Sequence, residues 1–260
     1  MYNYIYDNYS NEQIMYFTLF ILFIADLPII FFTFLDIYKF NFLNKYRINY
    51  NCYRKYPNKL EIIDGAKHSL YNLFAIIIPI TTIGIFIANY INYFPYKMNR
   101  ELPHYTTILF HFMFIFIVSD ILFYGLHRLM HTPILYKRFH KIHHKYNEPF
   151  SLTNHYIHPV ELLLFFIPPV LPGIILNTHI TIMWVSAILL NWNGILIHSG
   201  YYFSRNKYLD YIMPTTKEHD LHHKLFNFNF SSTFTFMDKL CGTYKKLCIN
   251  DYEGFFNKII

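Results

Sequence analysis

The 260-residue chain is 54% hydrophobic and 21% aromatic but only 15% charged, far more apolar than an ordinary soluble domain, so it reads as a membrane protein. Its net charge of +6 comes from Lys and Arg placed mainly in loops beside apolar segments, which suits membrane surfaces and topology control and argues against a nucleic-acid partner. Cys52, Cys241 and Cys248 form no C-x-x-C pair and leave an odd count, which indicates neither a disulfide framework nor a thiolate zinc site and fits a reducing environment.

In chain order, three apolar stretches are long enough to cross about 30 Å of hydrocarbon as helices: Ile14 to Leu35, Ser69 to Ile91 and Thr106 to Leu126. The first carries Asp26 and Pro28 and has no basic residue before it, so it reads as a retained signal anchor. Lys39, Lys45, Arg47, Arg54, Lys55, Lys59 and Lys67 separate the first two stretches, whereas only Lys97 and Arg100 separate the second and third. The positive-inside rule then puts the first loop in the cytosol, Asn3 and the Lys97 loop across the membrane, and the chain after Leu126 in the cytosol again. From Val160 to Ile197 a further apolar region is interrupted by Pro168, Pro169, Pro172 and Gly173. It is expected to form a helical hairpin or a re-entrant element, with the prolines and glycine at its turn, that returns the C-terminal segment to the cytosolic side. The expected fold is all-α: an integral membrane helical bundle with a cytosol-facing, histidine-rich dimetal site. Residues 1–105 would form a membrane-anchor region and residues 106–260 the catalytic region.

Fifteen histidines occur in the chain, and eight of them form three groups. His127 and His131 stand in H-R-L-M-H, His140, His143 and His144 in H-K-I-H-H, and His219, His222 and His223 in H-D-L-H-H. At i, i+3 and i, i+4 offsets, imidazoles share a helix face and can reach one ion or two neighbouring ions. Eight exceed one first-row coordination sphere, which argues for two metals. Imidazole suits iron, zinc, copper and nickel alike. A site at the ends of membrane helices, meeting a bilayer-dissolved substrate whose C–H bond needs activated dioxygen, argues for non-haem iron. His198, in I-H-S-G-Y just ahead of the third group, is the expected ninth ligand. His155, His158, Glu161 and Asp220 are candidates for further ligands or for partners of the ligands' second ring nitrogen. Asp120, Glu218 and Asp238 fit that partner role or helix capping equally. His68, His104, His111 and His179 stand alone and are expected to be structural.

These motifs resemble the fatty acid hydroxylase and sterol desaturase superfamily over about Asp120 to Lys246. H-T-P-I-L-Y-K-R-F-H-K-I-H-H-K, N-H-Y-I-H-P-V-E and L-H-H-K-L-F-N-F-N-F are similar to the sterol C-5 desaturase (lathosterol oxidase) branch. I-H-S-G-Y and S-S-T-F-T-F-M-D-K-L-C-G-T are similar to the C-4 methylsterol oxidase branch. The resemblance implies two Fe ions on the boxed histidines and His198, dioxygen as oxidant, and electrons from NAD(P)H through cytochrome b5 and its reductase as separate proteins. It also implies a sterol or lipid substrate and the endoplasmic reticulum membrane. Sterol C-5 desaturation is the leading expectation; C-4 methylsterol oxidation or fatty acid or sphingolipid hydroxylation comes next, and a non-catalytic metal-binding membrane protein is the reading from another class. Some fatty-acid hydroxylases carry another histidine four residues before the position of His198, where this chain has Gly194.

Overall fold

The structure, a computed structural model, describes residues 8–48, 56–203 and 206–246. Asn3, Cys52, Arg54, Lys55, Arg205 and Cys248 lie outside the described residues; Cys241 is exposed and free.

Helix α1 (Asn11–Tyr38) starts at a capping box in which Ser10 and Gln13 bond each other's backbone N–H groups, and ends on Lys39 in a left-handed conformation. The second apolar segment is longer than its hydropathy announces. Helix α2 (Lys59–Asn72) begins at a second capping box, Asn58 with Glu61. A π-helical turn at Leu73–Ile77 carries it into α3 (Ile78–Tyr90), giving a 32-residue rod. Pro79 accounts for the wide turn, since it cannot donate to the carbonyl four residues back and the ladder must widen to pass it. Helix α4 (Tyr105–Met130) runs into the short α5 (Pro133–Arg138). Two 3-10 turns follow, at His140–Lys145 and Ser151–His155.

The proline-rich region differs from the expected hairpin in one respect. Helix α6 (Pro159–Phe165) is followed by α7 (Ile167–Ile175), which contains Pro168, Pro169, Pro172 and Gly173, and the chain turns only at Leu176–His179. Prolines at the start of a helix cost nothing because those N–H groups are unsatisfied anyway. The turn is made instead by Asn177 in the left-handed region (φ 42°). Helix α8 (Ile180–His198) returns along α7, and α9 (Leu209–Ile212), α10 (Thr216–Leu225) and α11 (Phe236–Leu240) complete the described chain.

Four segments, Asn11–Tyr38, Lys59–Tyr90, Tyr105–Met130 and Ile180–His198, are long and apolar enough to cross a membrane. Large apolar side chains such as Phe20, Phe31, Phe86, Leu109 and Phe110 point outward from them, as expected of helices solvated by lipid. The start of α1, the α3–α4 loop and the α7–α8 turn meet at one end of the bundle, through Tyr9 N–H to Met98 O (2.9 Å) and Lys97 N–H to Thr178 O (2.9 Å). At the opposite end Ile29, Phe32, Leu35, Phe150, Leu152, Ile195 and Tyr201 pack together. There a buried Arg47–Asp36 pair (2.7 Å) ties the segment after α1 to its last turn. All three histidine groups lie at this second end.

Candidate metal centre

His127 sits in the last turn of α4 and His131 at its C-cap. The middle group lies on the 3-10 turn His140–Lys145, tighter than the α-helix its spacing allows. His219, His222 and His223 lie on α10, which Thr215 and Glu218 start with a capping box, and His198 ends α8. Together they form two sets. His127, His131, His140, His144 and His222 are the first; His143, His198, His219 and His223 are the second; within each, one ring nitrogen per residue lies within 4.8 Å of all the others. All nine expected histidines therefore converge, and each adjacent His–His pair divides between the sets.

The inward atoms are Nε2. In the first set His140 Nε2 is 2.9 Å from His131 Nε2 and 3.0 Å from His144 Nε2. In the second, His198 Nε2 is 2.9 Å from His219 Nε2 and 3.3 Å from His143 Nε2, and His223 Nε2 is 3.2 Å from His219 Nε2. Two nitrogens bound at right angles to one ion with bonds of ~2.1 Å are ~3.0 Å apart. In four of the nine rings the opposite nitrogen fixes the tautomer. Nδ1–H of His127 donates to Phe230 O (2.6 Å), that of His222 to Phe228 O (2.7 Å) and that of His198 to Gly194 O (2.7 Å). Nδ1 of His140 meets the fully buried Glu161 carboxylate at 2.5 Å. Each of these rings turns a lone pair inward, and Nε2 of His222 is buried with no hydrogen-bond partner. Burial also holds His140, His143, His144, His219, His222 and His223 well below the ordinary histidine range, with their neighbouring imidazoles adding to the effect. Neutral rings with lone pairs facing one another are costly unless a cation lies between them. Both sets thus fit a metal ion; five donors leave a six-coordinate ion one further position, and four leave two.

The remaining candidates divide by location. Glu161 partners His140. Asp220 instead pairs with Lys224 (2.7 Å) on α10, and Glu218 caps that helix. His155 joins neither set; it bonds Asp26 (3.1 Å). His158 caps α6 by accepting from Val160 N–H (3.1 Å). The space over Gly194 holds the Asn154 amide, whose Oδ1 would lie 2.8 Å from an added Cβ. His68 bonds Ile157 O (2.9 Å), His104 meets Thr106 Oγ1 (2.8 Å), His111 meets Thr178 and His179 caps α8.

How the loop after α10 is held is not visible in the sequence. Asn229, in a left-handed conformation (φ 57°), turns the chain between the two carbonyls that orient His222 and His127. Asp238 accepts from Phe230 N–H (2.9 Å) and Ser231 N–H (2.8 Å), and Asp120 from Thr233 N–H (2.8 Å). These carboxylates hold the loop rather than the imidazoles.

A cavity of ≈ 300 Å³ opens onto both sets. His127, His143, His198 and His219 form one end, and Ile21 and Leu22 of α1, Phe123 of α4, Phe165 and Met183 belong to its apolar walls.

The family model for fatty acid hydroxylase matches residues 112–243, about half of the chain, and contains every histidine of the two sets. Among similar proteins, a very-long-chain aldehyde decarbonylase, GL1-11, of Oryza sativa subsp. japonica is 35% identical over 154 residues, covering 57% of this chain and 58% of that protein. Methylsterol monooxygenase 2-2 of Arabidopsis thaliana is 33% identical over 154 residues, covering 57% and 58%. Methylsterol monooxygenase 1 of Rattus norvegicus is 33% identical over 201 residues, covering 74% and 66%. The chain thus spans about three fifths of the length of the curated relatives it matches. No solved structure matches it significantly. With its histidine boxes assembled into two sets that could each hold a metal ion and its sequence matched across them, the chain belongs to the fatty acid hydroxylase family.

Proposed function

We propose that the protein is a membrane-bound, dioxygen-dependent oxygenase that oxidises a C–H position of a sterol, with two iron ions held by the nine clustered histidines. The observation that carries this reading is the apolar cavity of ≈ 300 Å³, which connects the span-length helices to the histidines. A lipid dissolved in the bilayer can fill such a space without leaving an apolar environment. Iron bound there supplies activation of dioxygen, the chemistry that an unactivated C–H bond requires. The chain's own residues position and exclude. Three of the four second-set histidines line the cavity, against one of the five in the first set, so the second set faces the substrate more directly. Phe123, Leu162 and Phe165 keep water from the reacting carbon.

Residues 106–260 would carry the catalysis. Residues 1–105 would anchor the protein and also supply cavity wall through Ile21, Leu22, Leu73 and Ile77. The exposed Lys137, Arg138, Lys141 and Lys145 beside the middle histidine group suit an acidic electron carrier, such as cytochrome b5 reduced by its reductase from NAD(P)H. On this reading the histidine end faces the cytosol at the endoplasmic reticulum membrane, as the basic loops of the sequence suggest. Oxidation of a sterol methyl group is favoured by the two methylsterol monooxygenase relatives. Desaturation at sterol C-5 is the second reading, favoured by the wording of the middle histidine box.

The test is turnover of a 4,4-dimethylsterol by the iron-loaded full chain with a separate electron donor, in a host lacking its own sterol oxidases. A product that gains one oxygen atom is expected. Loss of two hydrogens from a ring carbon would favour desaturation, and no change in any sterol would overturn the sterol reading.

A further inference from the structure

Within the apolar cavity wall, Asp26, Asn154, His155 and Asn191 form one polar patch. Asp26 lies mid-way along α1, a span-length helix, where a carboxylate is costly and by default functional. One of its oxygens, Oδ1, is fully engaged, by His155 Nε2 (3.1 Å) and Asn191 Nδ2 (3.0 Å). The other has no hydrogen-bond partner among the described residues, and the side chain remains 25% exposed where it lines the cavity. Asn191 is itself held by Ala25 O (2.8 Å) and receives Asn154 Nδ2 at 3.3 Å, so the patch is built rather than loose.

Its position relative to the histidines follows from α8. The ring of His198 is drawn back toward the N-terminus of its helix by the bond from Nδ1 to Gly194 O (2.7 Å). Asn191 lies three residues before Gly194, about 4.5 Å along the axis, on the same helix face. The patch therefore sits about one turn beyond the His198 ring.

We infer that Asp26, seated by His155 and Asn191, is a specificity-determining residue that receives the hydroxyl of an otherwise apolar lipid, with the carbon to be oxidised close to that hydroxyl. The free carboxylate oxygen accepts a hydrogen bond and cannot give one, so it selects an alcohol over an aldehyde or ketone, which offer only acceptors. It also repels a fatty carboxylate or a phosphorylated headgroup. The hydroxyl can belong to a sterol or to a long-chain alcohol. The placement of the oxidised carbon rests on the proposed oxygenase reading, but recognition of the hydroxyl does not.

The test is binding, without turnover, to the metal-loaded full chain in lipid nanodiscs. The probes are two matched sets: a 4,4-dimethyl-3-hydroxysterol with its 3-deoxy and 3-keto analogues, and octadecanol with octadecane, octadecanal and octadecanoate. At least one alcohol should bind about tenfold or more tightly than its deoxy and carbonyl analogues, since a hydrogen bond to a charged group is of that size. The set that shows the preference identifies the source of the hydroxyl. Asp26→Ala should abolish the preference while leaving metal content and the affinity for the deoxy probe unchanged. Should Asp26→Ala fail to fold, Asp26→Asn, which keeps the shape and an acceptor but loses the charge, should reduce the preference several-fold. Equal binding of alcohol and deoxy probe by the natural protein would overturn the inference, as would a variant that weakens both equally. Absence of sterol oxidation alongside an intact alcohol preference would overturn the sterol reading and leave this subsite standing.

Discussion

His143 and His144, neighbours in the chain, point into different histidine sets, with their rings 5.5 Å apart and at 88° to each other. His222 and His223 do the same at 5.8 Å and 90°. Successive residues on a helical turn project in different directions, so a His–His dipeptide on a rigid element contributes to both sets, whereas the i, i+4 partners His140 with His144 and His219 with His223 share one set each. Two elements carrying such pairs are enough to lock the sets side by side.

This geometry predicts separable metal loss. His144→Ala should lower the metal occupancy of the first set and leave the second filled, and His143→Ala the reverse, so that elemental analysis falls below about two metals per chain in each variant, with the larger loss in His143→Ala, whose set keeps only three donors. The double variant should lose metal from both sets. Full metal content in both single variants would show that these histidines are not ligands.

Asp238 is predicted to act on the first set at a distance. It binds two loop N–H groups and, at 2.7 Å, the Thr243 hydroxyl, and the same loop supplies the carbonyls that orient His127 and His222. Asp238→Ala strands those buried donors, at a cost of about 3 kcal/mol in stability. Metal affinity should fall more in the first set than in the second, whose rings bond no carbonyl of this loop among the described residues. Thermal unfolding together with metal titration separates the two effects; equal weakening of both sets would count against the loop's specific role.

The eight boxed histidines were legible from the sequence because helical spacing is a local property and the boxes are short, whereas His198 stood out only by its place just ahead of the third box. Their division into sets was not, since it depends on how α4, α8, α10 and the 140–145 turn meet. The apolar spans were legible from length and hydropathy, but the start of the second at Asn58 was hidden in a polar capping box. The hairpin turn was misplaced because prolines that open or tolerate a helix carry the same letters as prolines that end one; the turn came from Asn177. Asp120 and Asp238 stood near the boxes in sequence, yet their partners are loop amides, which no residue pattern announces.

The orientation argued from basic loops predicts one-sided labelling. Single cysteines placed at Lys141 and Lys217, in a background lacking Cys52, Cys241 and Cys248, should react with an impermeant thiol reagent from the cytosolic side only. One at Lys97, at the opposite end of the bundle through its bond to Thr178, should react only from the other side. Reaction of Lys97 and Lys141 positions from the same side would overturn the transmembrane arrangement.

His198 tests whether the second set needs a residue outside the three boxes. Its Nε2 stands between those of His143 and His219, at 3.3 and 2.9 Å, and without it the set keeps three donors. His198→Ala should therefore lower metal occupancy of the second set and the oxidation rate together, with the first set still filled. His111, on α4 near the opposite end of the bundle and bonded to Thr178, provides the control: His111→Ala should leave both metal content and rate near those of the natural protein, whatever it costs in stability.

Glu161 supports the first set through His140 alone, at 2.5 Å, and a carboxylate in this position both fixes the ring and raises its basicity. Glu161→Gln keeps the size and one acceptor but removes the charge. Such changes lower metal affinity by about 10- to 100-fold, so competition with a chelator should strip the first set of the variant at a correspondingly lower chelator concentration, while the second set holds its ion. Glu161→Ala, which also frees the ring to rotate, should lose more. If both variants kept natural affinity at both sets, the His140–Glu161 contact would be a packing feature of α6 and not a support for the metal.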